Sequence, residues 1–157
     1  MKKAAAALLE ARLYGFGVEM EHNFIREYIL TEIDDIKIAV DGVLDGIGRV
    51  YTLDEQRKYE IRLVMNELLV NCFAHAHPEG RQTVVLRVVA KGARVRIFVK
   101  DNGQGFEYEK AQQNLEQLLG EDMLYREHGR GLKLVRAFCQ DIEYFGNGNS
   151  VEVKIAL

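Results

Sequence analysis

Hydrophobic positions along the chain change period several times, and the changes mark out the elements. From Val18 the pattern is β-like, and Phe24 to Leu30 reads as a strand. Thr31 and Asp34 have the form of a capping box. Ile33, Ile36, Ile38 to Val40, Val43 and Leu44 then recur at helical spacing, which predicts a helix ending near Gly46. Asp54 stands as the N-cap of a longer helix that reaches Ala76, with Pro78 and Gly80 as its stop. Thr83 to Ala90 is rich in β-branched residues, and Lys91-Gly92 turns the chain into a second strand, Arg94 to Lys100. There Val95, Ile97 and Val99 alternate with Arg94, Arg96, Phe98 and Lys100, so one face is apolar. A long connection follows from Asn102 to Gly129, with helical character around Ala111 to Leu119. Gly131 is expected to open a short helix through Cys139. Ile142 to Phe145, a Gly-Asn turn and Val151 to Leu157 form a closing hairpin. Helices and antiparallel strands in this order predict an α+β fold, a two-layer α/β sandwich.

Composition narrows the class. A chain of 157 residues with 48% apolar and 29% charged residues can bury one domain's core. Residues 1–17 are Ala-rich, helix-prone up to Tyr14 and closed by Gly15-Phe16-Gly17; they read as an N-terminal appendage to a single domain over 18–157. A net charge of −3 argues against a nucleic-acid partner, which would require concentrated Lys and Arg. No apolar run approaches a membrane span, and Glu10 and Arg12 cut short the signal-like start, so a cytoplasmic protein is expected. Cys72 and Cys139 read as small buried hydrophobes, and His75 and His77 have no zinc-site spacing.

Three polar features stand out from this background. Glu67 and Asn71 are four residues apart inside the apolar run Val64 to Phe73, with His75 continuing the same helical stripe. They are either the solvated face of an amphipathic helix or buried polar groups that need a ligand or metal as partner. Asp101 has the strand parity of Val95, Ile97 and Val99 and is followed by Asn102-Gly103-Gln104-Gly105. That stretch is either an ordinary hairpin turn or a fixed carboxylate beside a glycine wall that a ligand can approach closely. Such a carboxylate can accept a hydrogen bond from an exocyclic amine such as adenine N6. His128-Gly129-Arg130-Gly131-Leu132 leads into a helix, where free N–H groups favour phosphate oxygens. It is neither a Walker A loop nor a dinucleotide fingerprint.

In one order, Glu-x-x-x-Asn, Asp-x-Gly-x-Gly and Gly-x-Gly-Leu resemble the motif set of the GHKL superfamily, which includes gyrase, MutL and histidine-kinase ATPase domains. The resemblance covers about Val18 to Leu157 and implies a Bergerat-type sandwich with ATP lying between a helical layer and a mixed sheet. Glu67 at the first box position is similar to the ATPase members and the anti-sigma-factor serine/threonine kinases rather than to histidine kinases. Asn71-Cys72-Phe73-Ala74-His75-Ala76 and the ending Leu132 to Val151 are similar to those kinases as well. So is the chain's size, with no upstream hairpin carrying a phosphoacceptor histidine.

The resemblance implies a role for each matching residue. Glu67 is the general base, taking a proton from a substrate serine. Asn71 coordinates Mg²⁺. Asp101 reads adenine, with Gly103 and Gly105 shaping the wall. Gly129, Gly131 and Leu132 lie by the phosphates of ATP as part of a lid that runs over about Gln112 to His128. The related kinases tend to carry an Arg just before that last motif, where this chain has Glu127. Arg126 and Arg130 are the candidates to replace it at the β- or γ-phosphate. The implied protein is a kinase that phosphorylates and sequesters a partner, either a sigma factor or an anti-sigma-factor antagonist, as a homodimer. The alternatives are a histidine-kinase-type ATPase module and an ATP-responsive binding protein without transfer.

Overall fold

The computed structural model describes residues 23–74, 82–103 and 127–157. Strand β1 (Asn23–Leu30) buries Phe24, Tyr28 and Leu30. Helix α1 (Asp35–Val50) follows, and its entry corrects the expected capping box by one residue. Asp34 makes no side-chain cap. Instead Asp35 Oδ2 accepts the N–H groups of Thr31 at 2.9 Å and Glu32 at 3.0 Å. Asp34 is exposed, whereas Asp35 is buried against the turn whose donors it satisfies. The helix also runs a turn past Gly46, because Gly46 packs under the Phe24 ring and Ile47 supplies another buried position.

Helix α2 (Glu55–Ala74) begins as expected, with Asp54 Oδ1 accepting the Arg57 N–H at 2.6 Å. Ile61, Val64, Met65, Leu68 and Leu69 line its buried side. The expected stop at Ala76 to Gly80 lies outside the described residues, as do residues 1–22 and the segment 104–126 with its expected helix at 111–119.

The sheet is built from β1, β2 (Val84–Lys91), β3 (Arg94–Asp101), β4 (Asp141–Phe145) and β5 (Ser150–Ala156), in the order β1-β2-β3-β5-β4. All four ladders are antiparallel, so the mixed sheet implied by the resemblance is not found among the described residues. Alternation decides the two faces. Val84, Leu86, Val88 and Ala90 of β2, Val95, Ile97 and Val99 of β3 and Val151, Val153 and Ile155 of β5 are buried beneath the helices. The opposite face carries the ion pairs Glu27–Arg87 and Arg96–Glu152 and leaves Ile25 and Ile29 exposed. The fold is therefore the expected α+β two-layer sandwich.

Helix α3 (Glu127–Phe138) differs from the sequence expectation. It begins four residues before Gly131, so Gly129 and Gly131 lie inside it rather than opening it. By helix geometry, the N–H groups of its first turn, Glu127 to Gly129, have no intrahelical acceptor. Gly131 serves close helix packing instead of a helix start.

Candidate functional site

The last turns of α2 bring the three polar features together. Glu67 and Asn71 are both half-buried, which sets aside the reading of a simply solvated face. Gly131 of α3 lies directly on Glu67: a Cβ built at Gly131 would overlap Oε2 and stand 3.0 Å from Cδ. Only a residue without a side chain lets α3 approach the carboxylate this closely.

Asp101 closes the site from the sheet side. It ends β3 opposite Val84 and is half-buried, on the face of Val95, Ile97 and Val99 as the alternation predicted. Its Oδ1 accepts the Gly103 N–H at 2.7 Å. Its own N–H donates to Asn149 O at 3.0 Å, and Asn149 Nδ2 donates to its carbonyl at 3.4 Å. Asn102 is tied to Thr83 twice, donating to Thr83 O at 3.2 Å and accepting the Thr83 N–H on Oδ1 at 3.0 Å. The Asp-Asn-Gly stretch is thus a turn anchored on two neighbouring chain segments, and its carboxylate is presented from a fixed base.

Cys72 connects the two halves. Its carbonyl accepts Gln82 Nε2 at 2.6 Å, which ties the end of α2 to the segment leading into β2. Burial, then the nearby charge of Asp101, push the Cys72 thiol up to about 12, so it keeps its proton at neutral pH. Cys139 is also pushed up to about 12, by burial alone. Both thiols thus stay protonated and pack against the core, in keeping with their reading as small hydrophobes. Residues 67 to 72 rise about 7.5 Å along the helix, and within that length α2 meets Gly131 on one side and Asp101 on another.

The remaining sequence candidates fall into two groups. Gly129, Arg130 and Leu132 lie on α3 beside Gly131. Gly105, Arg126 and His75 lie outside the described residues. Sequence reasoning missed Gln82 and Asn149, which act through contacts that no local spacing encodes.

The donor set fits Mg²⁺ and a nucleotide. Asn71 and Glu67 offer hard oxygens, and among the described residues no group of three or more His, Cys, Asp or Glu could hold a metal. Mg²⁺ is commonly held by one or two protein oxygens together with phosphates, so it needs no such cage. No helix among the described residues is long and apolar enough to cross a membrane.

Among curated proteins, none matches the chain. The family model of the histidine kinase-like ATPase domain matches residues 32–155, a span that includes Glu67, Asn71, Asp101 and Gly131. The chain belongs to the histidine kinase-like ATPase domain family.

Proposed function

We propose that this protein binds Mg·ATP and transfers a phosphoryl group to a serine or threonine of a partner protein that it also sequesters, in the manner of anti-sigma-factor kinases. The observation that carries the reading is the convergence of Glu67, Asn71, Asp101 and Gly131 around the end of α2. Asp101 accepts the adenine amine, and the Gly103 N–H holds its carboxylate in place. Asn71 and Glu67 face the phosphate end, where Asn71 holds Mg²⁺ through its amide oxygen. Glu67 accepts the proton of the attacking hydroxyl. Mg·ATP supplies the phosphoryl group and neutralises charge on it. The free N–H groups at the start of α3 favour phosphate oxygens.

The partner reading is a sigma factor or an anti-sigma-factor antagonist, with the kinase as a homodimer. Capture of partners from the native extract with and without ATP, followed by phosphosite mapping, tests it. The expected result is ATP-dependent capture with phosphate on serine or threonine of the captured protein. Phosphate on histidine, or none, refutes the kinase assignment.

A second reading, ATP-responsive binding without transfer, is favoured by the contact of Glu67 with Gly131. A carboxylate packed against α3 leaves less room for a partner's hydroxyl to reach it. ATP-dependent capture with no phosphosite is the result expected of it.

A further inference from the structure

The face of the sheet turned away from the helices carries an apolar patch. Ile25 pairs with Val89 and Ile29 with Val85, and between these pairs the row Glu27, Arg87 and Phe98 crosses the sheet. All have the parity opposite to Phe24, Leu86 and Ile97, which lie beneath the helices. Ile25 and Ile29 are 39% and 47% exposed, and Val85, Val89 and Phe98 are half-buried. From the Ile25 pair to the Ile29 pair is about 13 Å along β1, and the three strands together are about 10 Å wide. One helix of two to three turns has about that footprint. Residues 1–22 lie outside the described residues and lead into β1 at Asn23, beside Lys91 and Arg94. Both cations are exposed, and neither has an ion-pair partner among the described residues. The chain entering there carries Glu19 and Glu21, and further out Ala5, Leu8, Leu9 and Leu13 recur at helical spacing with Arg12 on the same stripe.

We propose that residues 4–22 of this chain cover that patch as a third layer, a helix over 4–14 setting Leu8, Leu9 and Leu13 on the two apolar pairs and Phe98. Residues 4–14 rise about 16 Å as a helix, enough to run from one pair to the other. Gly15 and Gly17 let the chain reverse over β1. Glu19 and Glu21 meet Lys91 and Arg94 at the point of entry, and Arg12 meets Glu27 between the apolar pairs. A second copy of the chain is the competing occupant. The tether decides against it, because a segment joined at Asn23 acts at an effective concentration on the order of millimolar. The inference is independent of the nucleotide reading, since the patch lies on the opposite face of the sheet from α2 and α3.

Thiol labelling of the full chain tests this. The native cysteines are half-buried and protonated at neutral pH, so they set a slow background. Ile29→Cys puts a thiol in the patch, and Glu143→Cys puts one at an exposed position of β4, the far edge of the sheet. With the patch covered, Ile29→Cys is expected to label about tenfold or more slower than Glu143→Cys. Adding Leu9→Asp and Leu13→Asp is expected to bring the two rates within about twofold by speeding Ile29→Cys alone. Glu19→Lys with Glu21→Lys alters only the charge contact and decides the matter should the aspartates disturb folding. That pair is expected to speed Ile29→Cys about two- to fivefold at low salt. Equal rates at the two thiols with the segment unaltered overturn the proposal, as does slow labelling that neither pair of substitutions changes. Slow labelling of Ile29→Cys that becomes fast on dilution assigns the face to a second copy and overturns it too.

Discussion

Gly131 and Glu67 are in contact across the α2–α3 packing, and the atoms that a Cβ at Gly131 would meet are Oε2, Cδ and Cγ of Glu67. These belong to the free end of a flexible side chain, not to backbone, which sets the outcome of Gly131→Ala. The carboxylate can swing aside for about 0.5–1.5 kcal/mol, and alanine inside a helix is better than glycine by about 1 kcal/mol. The two terms nearly cancel. Thermal melting is expected to show stability within about 1 kcal/mol of native. Phosphoryl transfer is expected to fall by about tenfold or more, because the displaced base no longer meets the hydroxyl. A Gly131→Ala protein with native transfer rates would show that the position of Glu67 beneath α3 has no bearing on the chemistry.

Chemistry and binding separate at the two polar residues of α2. Glu67→Gln keeps shape and hydrogen bonding but cannot take a proton. It is expected to lower phosphoryl transfer by about 10²-fold or more while leaving ADP affinity within a few-fold. Asn71→Ala removes a hard oxygen and is expected to weaken Mg²⁺-dependent nucleotide binding instead. Single-turnover transfer paired with calorimetry, with and without Mg²⁺, resolves the pair. Intact transfer in Glu67→Gln removes Glu67 from the base role.

Two glycines of α1 give opposite expectations. Gly48 is exposed with nothing within 4 Å of a built Cβ, so Gly48→Ala gains helix propensity alone. Its melting temperature is expected to rise by roughly 1–4 °C. A Cβ at Gly46 would overlap the Phe24 ring and stand 2.8 Å from Cζ, and Phe24 is 1% exposed. The ring has nowhere to go. Overpacking at about 1–3 kcal/mol outweighs the propensity gain, so Gly46→Ala is expected to melt lower by roughly 2–6 °C. Equal shifts at the two positions would mean that the Phe24–Gly46 packing is not tight.

Much of this fold was legible because β alternation is strict where one face is covered. Val95, Ile97, Val99 and Asp101 share parity, and that alone placed the carboxylate on the helix side. The helix starts were less legible, since Asp34 and Asp35 are equally good capping residues by type and only burial separates them. Gly131 misled for a related reason. A glycine pair before an apolar run marks a helix start by local rules, but here a tertiary contact with Glu67 uses the glycine inside the helix. The Asn149–Asp101 contacts join residues distant in sequence, and neither residue type suggests the other.

Asp41 gives a pH-dependent expectation. Hydrogen bonds from Lys37 at 2.7 Å and Arg62 at 2.6 Å hold its carboxyl below the usual range. A depressed folded-state pKa adds stability above the unfolded value, and that stability is lost as pH falls through the folded value. The contribution is therefore full above the ordinary carboxyl value of 3.8 and fades as pH falls below it toward the lowered folded value. With the Asp41 side chain 37% exposed, solvent and salt screen the pair, and the contribution is about 0.5 kcal/mol or less. Asp41→Asn is expected to show that small loss in urea denaturation at pH 7 and a smaller one at pH 3. A loss that grows on acidification would contradict the assignment.

Base selection is the sharpest test of Asp101. Substitution by asparagine keeps the side chain's shape, and the remaining carbonyl oxygen can still accept the Gly103 N–H that now lies 2.7 Å from Oδ1. The turn itself is expected to survive, because Asn149 and Thr83 anchor it through main-chain bonds and through Asn102 Oδ1, all of which the substitution leaves alone. What changes is the other position of the carboxylate. There an NH₂ donor replaces an acceptor and meets the incoming adenine amine. Two donors facing each other leave both unsatisfied, which costs about 1–3 kcal/mol. ADP affinity of Asp101→Asn is therefore expected to fall roughly fivefold to 150-fold. GDP presents a carbonyl where adenine has the amine, so the new NH₂ gains a partner and GDP binding is expected to hold or improve. Calorimetry with both nucleotides in the presence of Mg²⁺ reads the two affinities directly. Undiminished ADP binding with no shift toward GDP would mean that the base lies elsewhere, and the placement of the nucleotide along α2 would have to be drawn again.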